Sequence, residues 1–141
     1  MLARIAIFAL LAAACFAALP TFTYCGSGSL ANPSITTPES TWKSGTTVHF
    51  TLSGTLNAPI ANGATVKTIA KFLGSEVANT VDDLCTYEGT PFVCPEATGQ
   101  RQWAFVWDIP TVPMSGKLTS RSDFKNADGS SILCFDLALQ L

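Results

Sequence analysis

The chain has a single histidine, His49, among 141 residues. That scarcity argues against most hydrolytic and zinc chemistry, because nucleophile–base pairs and tetrahedral metal sites draw on several His, Cys or acidic groups at defined spacing. His49 lies inside an alternating polar–apolar run with no second ligand near it, so it reads as an outward strand residue. No Gly-x-Ser-x-Gly elbow, His-Glu-x-x-His pair or phosphate-cradling glycine loop occurs. The run Gly26-Ser27-Gly28-Ser29 is short and leads into no helix, which makes it a turn. Asp82 and Asp83 are adjacent, so in an extended segment their carboxylates point to opposite faces rather than forming an acid–base pair. Asn126-Ala127-Asp128-Gly129 lacks the first acid and the distal Glu of a calcium loop and reads as a hairpin turn. No catalytic residue, metal or cofactor is expected.

Charge is also scarce, at 13% of residues. The basic residues stand singly, so the chain has no electrostatic footprint for nucleic acid. Only one long apolar run exists, Ile5 to Leu19 behind Arg4, with small residues at Ala14, Ala17 and Ala18. It is too short to span a bilayer and has the form of a secretory signal peptide over residues 1–19, cleaved between Ala14 and Pro20. Loss of Arg4 leaves seven basic against ten acidic residues, a net charge of −3 in place of −2. An alternative reading of Leu11 to Cys15 is a loose lipoprotein box, with Ala12 where Leu is expected. Without a further apolar run, membrane contact would be peripheral. Asn32-Pro33-Ser34 is disqualified as a glycosylation acceptor by its proline.

The remaining segment, 20–141, is the right length for one domain with one core. It keeps four of the five cysteines, an even number suited to an oxidising compartment. Cys85 and Cys94 flank a stretch holding Gly89 and Pro91, where the chain can double back and close a small ring. Cys25 and Cys134 lie near the two ends, so the simplest pairing is Cys25–Cys134 with Cys85–Cys94; the other two connectivities stay open.

Strand periodicity dominates the rest. Thr46 to Leu56 sets Val48, Phe50, Leu52 and Leu56 against His49 and four Thr or Ser residues. After Asn62-Gly63, Val66, Thr68, Ala70 and Phe72 oppose Lys67, Ile69 and Lys71. Gln102 to Asp108 places Trp103, Phe105 and Trp107 on one face and is ended by Pro110. Lys117 to Phe124 turns Leu118 and Phe124 inward. The final run carries Leu133, Phe135, Leu137, Leu139 and Leu141 on one face. With a first strand near Thr21 to Gly26 and no capped helical window, the pattern predicts an all-β sandwich of about seven strands.

The ordered set Tyr24-Cys25-Gly26, Gly54-Thr55-Leu56, Asp83-Leu84-Cys85, Cys94-Pro95, Ile109-Pro110 and Leu133-Cys134-Phe135-Asp136 resembles the ML lipid-recognition domain family over essentially all of 20–141. The resemblance implies an immunoglobulin-like β-sandwich whose sheets are splayed to hold a lipid cavity between them. The segment Ile35 to Ser40 contains no cysteine, which looks more like the secreted phosphatidylglycerol/phosphatidylinositol transfer proteins than the related Niemann-Pick type C sterol carriers. It further implies a secreted or lumenal protein, extracellular or in a lysosome or vacuole, that carries a phospholipid more readily than a sterol. Transient membrane contact and a monomeric state go with that reading; the alternative is an extracellular interaction module presenting lipid to, or directly binding, a protein. The expected pocket lining is Phe50, Leu52, Val66, Phe72, Trp103, Phe105, Trp107, Leu118, Phe124, Leu133, Phe135 and Leu137. The expected mouth lies at a Gly74 to Val81 loop and the Ile109 to Gly116 segment, with Lys117 or Arg121 available to a phosphate.

Overall fold

The computed structural model describes residues 18–141, so nearly all of the expected signal segment, with Arg4 and Cys15, lies outside the described residues. Within them the chain forms eight strands: β1 (Thr21–Tyr24), β2 (Leu30–Thr36), β3 (Thr47–Leu56), β4 (Thr65–Phe72), β5 (Ser75–Asp83), β6 (Gly99–Asp108), β7 (Lys117–Lys125) and β8 (Ser131–Gln140). They make a five-stranded sheet, β1-β8-β7-β4-β5, and a three-stranded sheet, β2-β3-β6. Every pairing is antiparallel. This is the expected all-β sandwich.

Two strands were not legible in the alternation. In β2 the register slips between Ala31 and Ser34, and Asn32 takes a φ of 49° before Pro33, so a bulge breaks the period. β5 corrects the expected Gly74 to Val81 mouth loop: the segment is an edge strand. Leu73 and Gly74 both adopt positive φ, 51° and 82°, which is the geometry of a tight hairpin turn from β4 into β5. Because β5 is exposed along nearly all its length, no inward–outward contrast was selected into its sequence.

The core has two parts. One gathers Leu52, Leu56, Ile60, Trp103, Phe124, Leu133 and Phe135 with Leu84 and Phe92 from the segment between β5 and β6. The other gathers Val48, Ile109, Leu137 and Leu139 around Trp42, which is 0% exposed. Cys25 is bonded to Cys134, joining the end of β1 to β8, and Cys85 to Cys94. The second bond closes the ring that brings Tyr87 and Phe92 against the first cluster.

Candidate functional site

Residues paired across antiparallel strands share a face, so the inner wall of the five-stranded sheet can be taken row by row. One row runs Asp82, Val66, Phe124, Leu133, and the next Thr80, Thr68, Ser122, Phe135. A third runs Ala78, Ala70, Ser120, Leu137, and a fourth holds Phe72, Leu118 and Leu139. In the second and third rows, β5, β4 and β7 contribute only Thr, Ser and Ala. The facing sheet pairs Leu52 with Trp103, Phe50 with Phe105 and Val48 with Trp107. Phe50 and Phe105 stack with ring centroids 4.8 Å apart.

Short side chains opposite stacked rings cannot fill the interval between sheets to the density of a normal core. The result is a cavity of about 210 Å³ between the sheets. Ile35, Phe50, Leu52 and Phe105 line it from the three-stranded sheet; Val66, Thr68, Asp82, Ser122, Phe124 and Phe135 line it from the five-stranded sheet; Tyr87 reaches it from the disulfide ring. Its walls are mainly apolar; of its polar groups Asp82 and Tyr87 come from β5 and the ring, and Thr68 and Ser122 from β4 and β7. Burial pushes the Tyr87 phenol above its ordinary range and the Asp82 carboxylate pushes the same way, while a hydrogen bond with Thr90 opposes them.

Six of the twelve expected lining residues border this cavity: Phe50, Leu52, Val66, Phe105, Phe124 and Phe135. The other six do not. Trp103 packs on Phe92 at 4.9 Å between centroids and donates Nε1–H to Glu96 Oε2 at 3.4 Å, which makes it a core residue. Leu133 is buried in the same cluster. Trp107 and Leu137 pack with the cluster around Trp42. Phe72 and Leu118 are cross-strand partners at the far row, where Phe72 lies against Gly116. Alternation selects a face, and a face contains both filled and unfilled positions.

The segments expected at the mouth and the expected cations do not line this cavity. No residue of 74–81 or 109–116 borders the cavity. Lys117 and Arg121 project from the opposite side of β7, since they alternate with Leu118 and Ser122. Arg121 Nε donates to Asp136 Oδ1 at 2.8 Å and its terminal nitrogen to Oδ2 at 2.9 Å. That fork holds the Asp136 carboxyl below its usual range and raises the guanidinium. Arg121 is therefore committed to a surface pair.

Ile35, Thr68, Asp82, Tyr87 and Ser122 were not among the expected lining residues. Thr68 was in phase with Val66, and that signal was available; Ile35 sits in the bulged strand and Asp82 and Tyr87 flank Cys85, where no period exists. Trp42 was missed for the same reason, lying between β2 and β3 in a segment without alternation. A polar network fixes that segment on the sandwich. Trp42 Nε1–H donates to Thr37 Oγ1 at 3.2 Å, and the one proton of the Thr37 hydroxyl is within reach of either the Glu39 carboxylate or the His49 carbonyl. Glu39 Oε1 accepts from the His49 backbone N–H at 3.0 Å and lies 2.8 Å from His49 Nδ1. Hydrogen bonds from Thr37 and then His49 lower the Glu39 pKa to about 2. His49 is thus an outward strand residue with a structural partner. Asn126 to Ser130 forms a hairpin turn, Asn126 N–H donating to Ser130 O at 2.8 Å.

Two sheets with a mainly apolar cavity between them define a β-sandwich able to enclose a small apolar ligand. The chain belongs to the ML domain family, whose model matches residues 21–141. Over 89 residues, 63% of this chain, it is 30% identical to a Dictyostelium discoideum protein that bears the name phosphatidylglycerol/phosphatidylinositol transfer protein 2. The match spans 62% of that relative's length, less than two thirds of it. Among solved structures, a Niemann-Pick type C2 protein from Japanese carpenter ant superposes with a TM-score of 0.62 at 15% identity, covering 85% of this chain and 98% of that one. Chicken MD-1 complexed with lipid IVa superposes with a TM-score of 0.64 at 12% identity, covering 86% and 88%. At those identities the likeness is one of fold. The family relative is named for lipid transfer, not for catalysis.

Proposed function

We propose that the protein binds a lipid in the cavity between its sheets and carries it through water between membranes. The observation that supports this best is the mismatch of the two walls: stacked Phe50 and Phe105 face Thr68 and Ser122 across a space that side chains leave open. Moving an acyl chain from a bilayer into water costs about 0.8 kcal/mol per methylene. An apolar cavity offsets most of that cost, and because bilayer and cavity are both apolar, uptake and release are nearly balanced. At about 210 Å³ the cavity lies below the ~300–1,000 Å³ of typical ligand pockets, so a full-length lipid requires the sheets to splay. The ring that carries Tyr87 also presents Val93, 77% exposed, as an apolar contact for a bilayer surface. The two disulfides suit a secreted or lumenal site of action, and a monomer suffices for the mechanism.

Native mass spectrometry of the purified protein, followed by organic extraction, tests the reading. About one co-purifying lipid per chain supports it and names the cargo. A protein that arrives empty and takes up no labelled phospholipid, sterol or fatty acid from vesicles sinks it in favour of an interaction module.

A further inference from the structure

We propose that Asp82 selects the polar end of the ligand: the cavity accepts a lipid ending in an uncharged hydroxyl and rejects one ending in an anion. This rests on the cavity being a lipid site. Four polar side chains reach the space, Thr68, Asp82, Tyr87 and Ser122, and no Lys, Arg or His is among the residues that line it. The sheet's cations lie on its other side. Lys67 and Lys71 alternate with Thr68 and Ala70 along β4, and Arg121 is held by Asp136. An anionic headgroup arriving beside Asp82 meets a carboxylate with no counter-charge among the residues that line the cavity.

A hydroxyl meets the opposite situation. Asp82 Oδ2 accepts one bond, from Thr80 Oγ1 at 3.0 Å, and a carboxylate has about four lone-pair sites. Asp82 is among the residues that line the cavity, so an O–H donor brought there can use the remaining capacity in a charge-assisted hydrogen bond. Tyr87 stays neutral beside it and adds a second group able to donate or accept. Thr68 and Ser122 extend the same hydroxyl-compatible surface inward. The hydroxyl can belong to a single-chain alcohol or to a sterol; both present the same chemistry to Asp82.

Competition against a fluorescent lipid probe decides the matter, using hexadecanol, cholesterol and hexadecanoate at mildly alkaline pH, where the acid is ionised. The wild type is expected to prefer at least one of the alcohols over hexadecanoate by about tenfold or more. Whether hexadecanol or cholesterol competes identifies the source of the hydroxyl. Asp82→Asn is expected to shrink the preference to within about threefold, and Asp82→Arg to reverse it. Asp82 is exposed on an edge strand, so both variants are expected to give the wild-type circular dichroism spectrum. Equal affinity for alcohol and carboxylate in the wild type, or a preference unchanged in both variants, overturns the role of Asp82 while leaving the carrier intact. Failure of every probe to bind the wild type overturns the carrier reading and this one with it.

Discussion

The two ends of the interior are built from the same strands and the same alternation, yet one is closed and the other open. At the closed end, Trp42 packs against Phe22, Phe50 and Trp107 with centroid separations of 5.9–6.1 Å, over Val48, Leu137 and Leu139. At the open end, Phe50 and Phe105 face Thr68 and Ser122, and about 210 Å³ stays empty. Nothing in strand geometry separates these outcomes. A loop-borne indole inserted between the sheets fills one end; at the other, loop-borne Phe92 packs on Trp103 and Phe105 but leaves the space between Phe105 and Ser122 open. The lesson is that a cavity in a β-sandwich is set by the pairing of residue sizes across the two sheets, which neither sheet's pattern reveals alone.

Opposite kinds of substitution at the two ends break the comparison most directly. Trp42→Ala removes the largest fully buried side chain and orphans the Thr37 contact, with an expected loss of about 3–5 kcal/mol in chemical denaturation. Lipid uptake falls with it. Ser122→Leu adds volume where there is room, so stability is expected to stay within about 1 kcal/mol while lipid affinity drops about tenfold. If Ser122→Leu instead unfolds the protein, or Trp42→Ala leaves the melting curve in place, the closed and open ends have been assigned the wrong way round.

Most of the architecture could be read beforehand because it depends on period and punctuation. Leu52, Phe124 and Phe135 alternate inward, Gly129 makes the turn before β8, and the four cysteines pair as their order suggests. The site was half legible because alternation identifies inward faces, and Trp103 and Phe105 share one. What separates them is Phe92, delivered onto Trp103 by the disulfide ring from far along the chain. Asp82 and Asp83 alternate faces in any extended segment, but adjacent acids read as solvated charge; the register Val66–Asp82 shows which of the two looks inward.

The strap that holds Trp42 gives a smaller and pH-dependent contrast. Glu39 has its pKa lowered to about 2 by its bonds from Thr37 and His49. A carboxyl with a depressed folded-state pKa adds stability above its unfolded value, and loses that contribution as pH falls toward the folded value. The stability of the wild type should therefore decline between about pH 4.5 and 2 by an amount that Glu39→Gln removes. A Glu39→Gln variant with the same acid-unfolding profile as the wild type would show that the strap is held by Trp42 packing alone.

The smallest effect is expected on the far side of the five-stranded sheet. Arg121 and Asp136 form a two-pronged pair on the surface, with side chains 59% and 40% exposed, and neither borders the cavity. If a phosphate were held by this sheet's cations, Arg121→Ala would lower affinity for anionic phospholipid. With Arg121 directed away from the cavity and engaged by Asp136, Arg121→Ala should leave both the affinity and the headgroup preference of the wild type unchanged in vesicle competition. Because Ser122 and Arg121 are neighbours on one strand, the pair of variants Ser122→Leu and Arg121→Ala asks whether ligand recognition belongs to one face of β7 or to both. A loss of anionic-lipid binding in Arg121→Ala would mean that the outer face takes part, and that the polar end of the ligand reaches around the edge of the sheet.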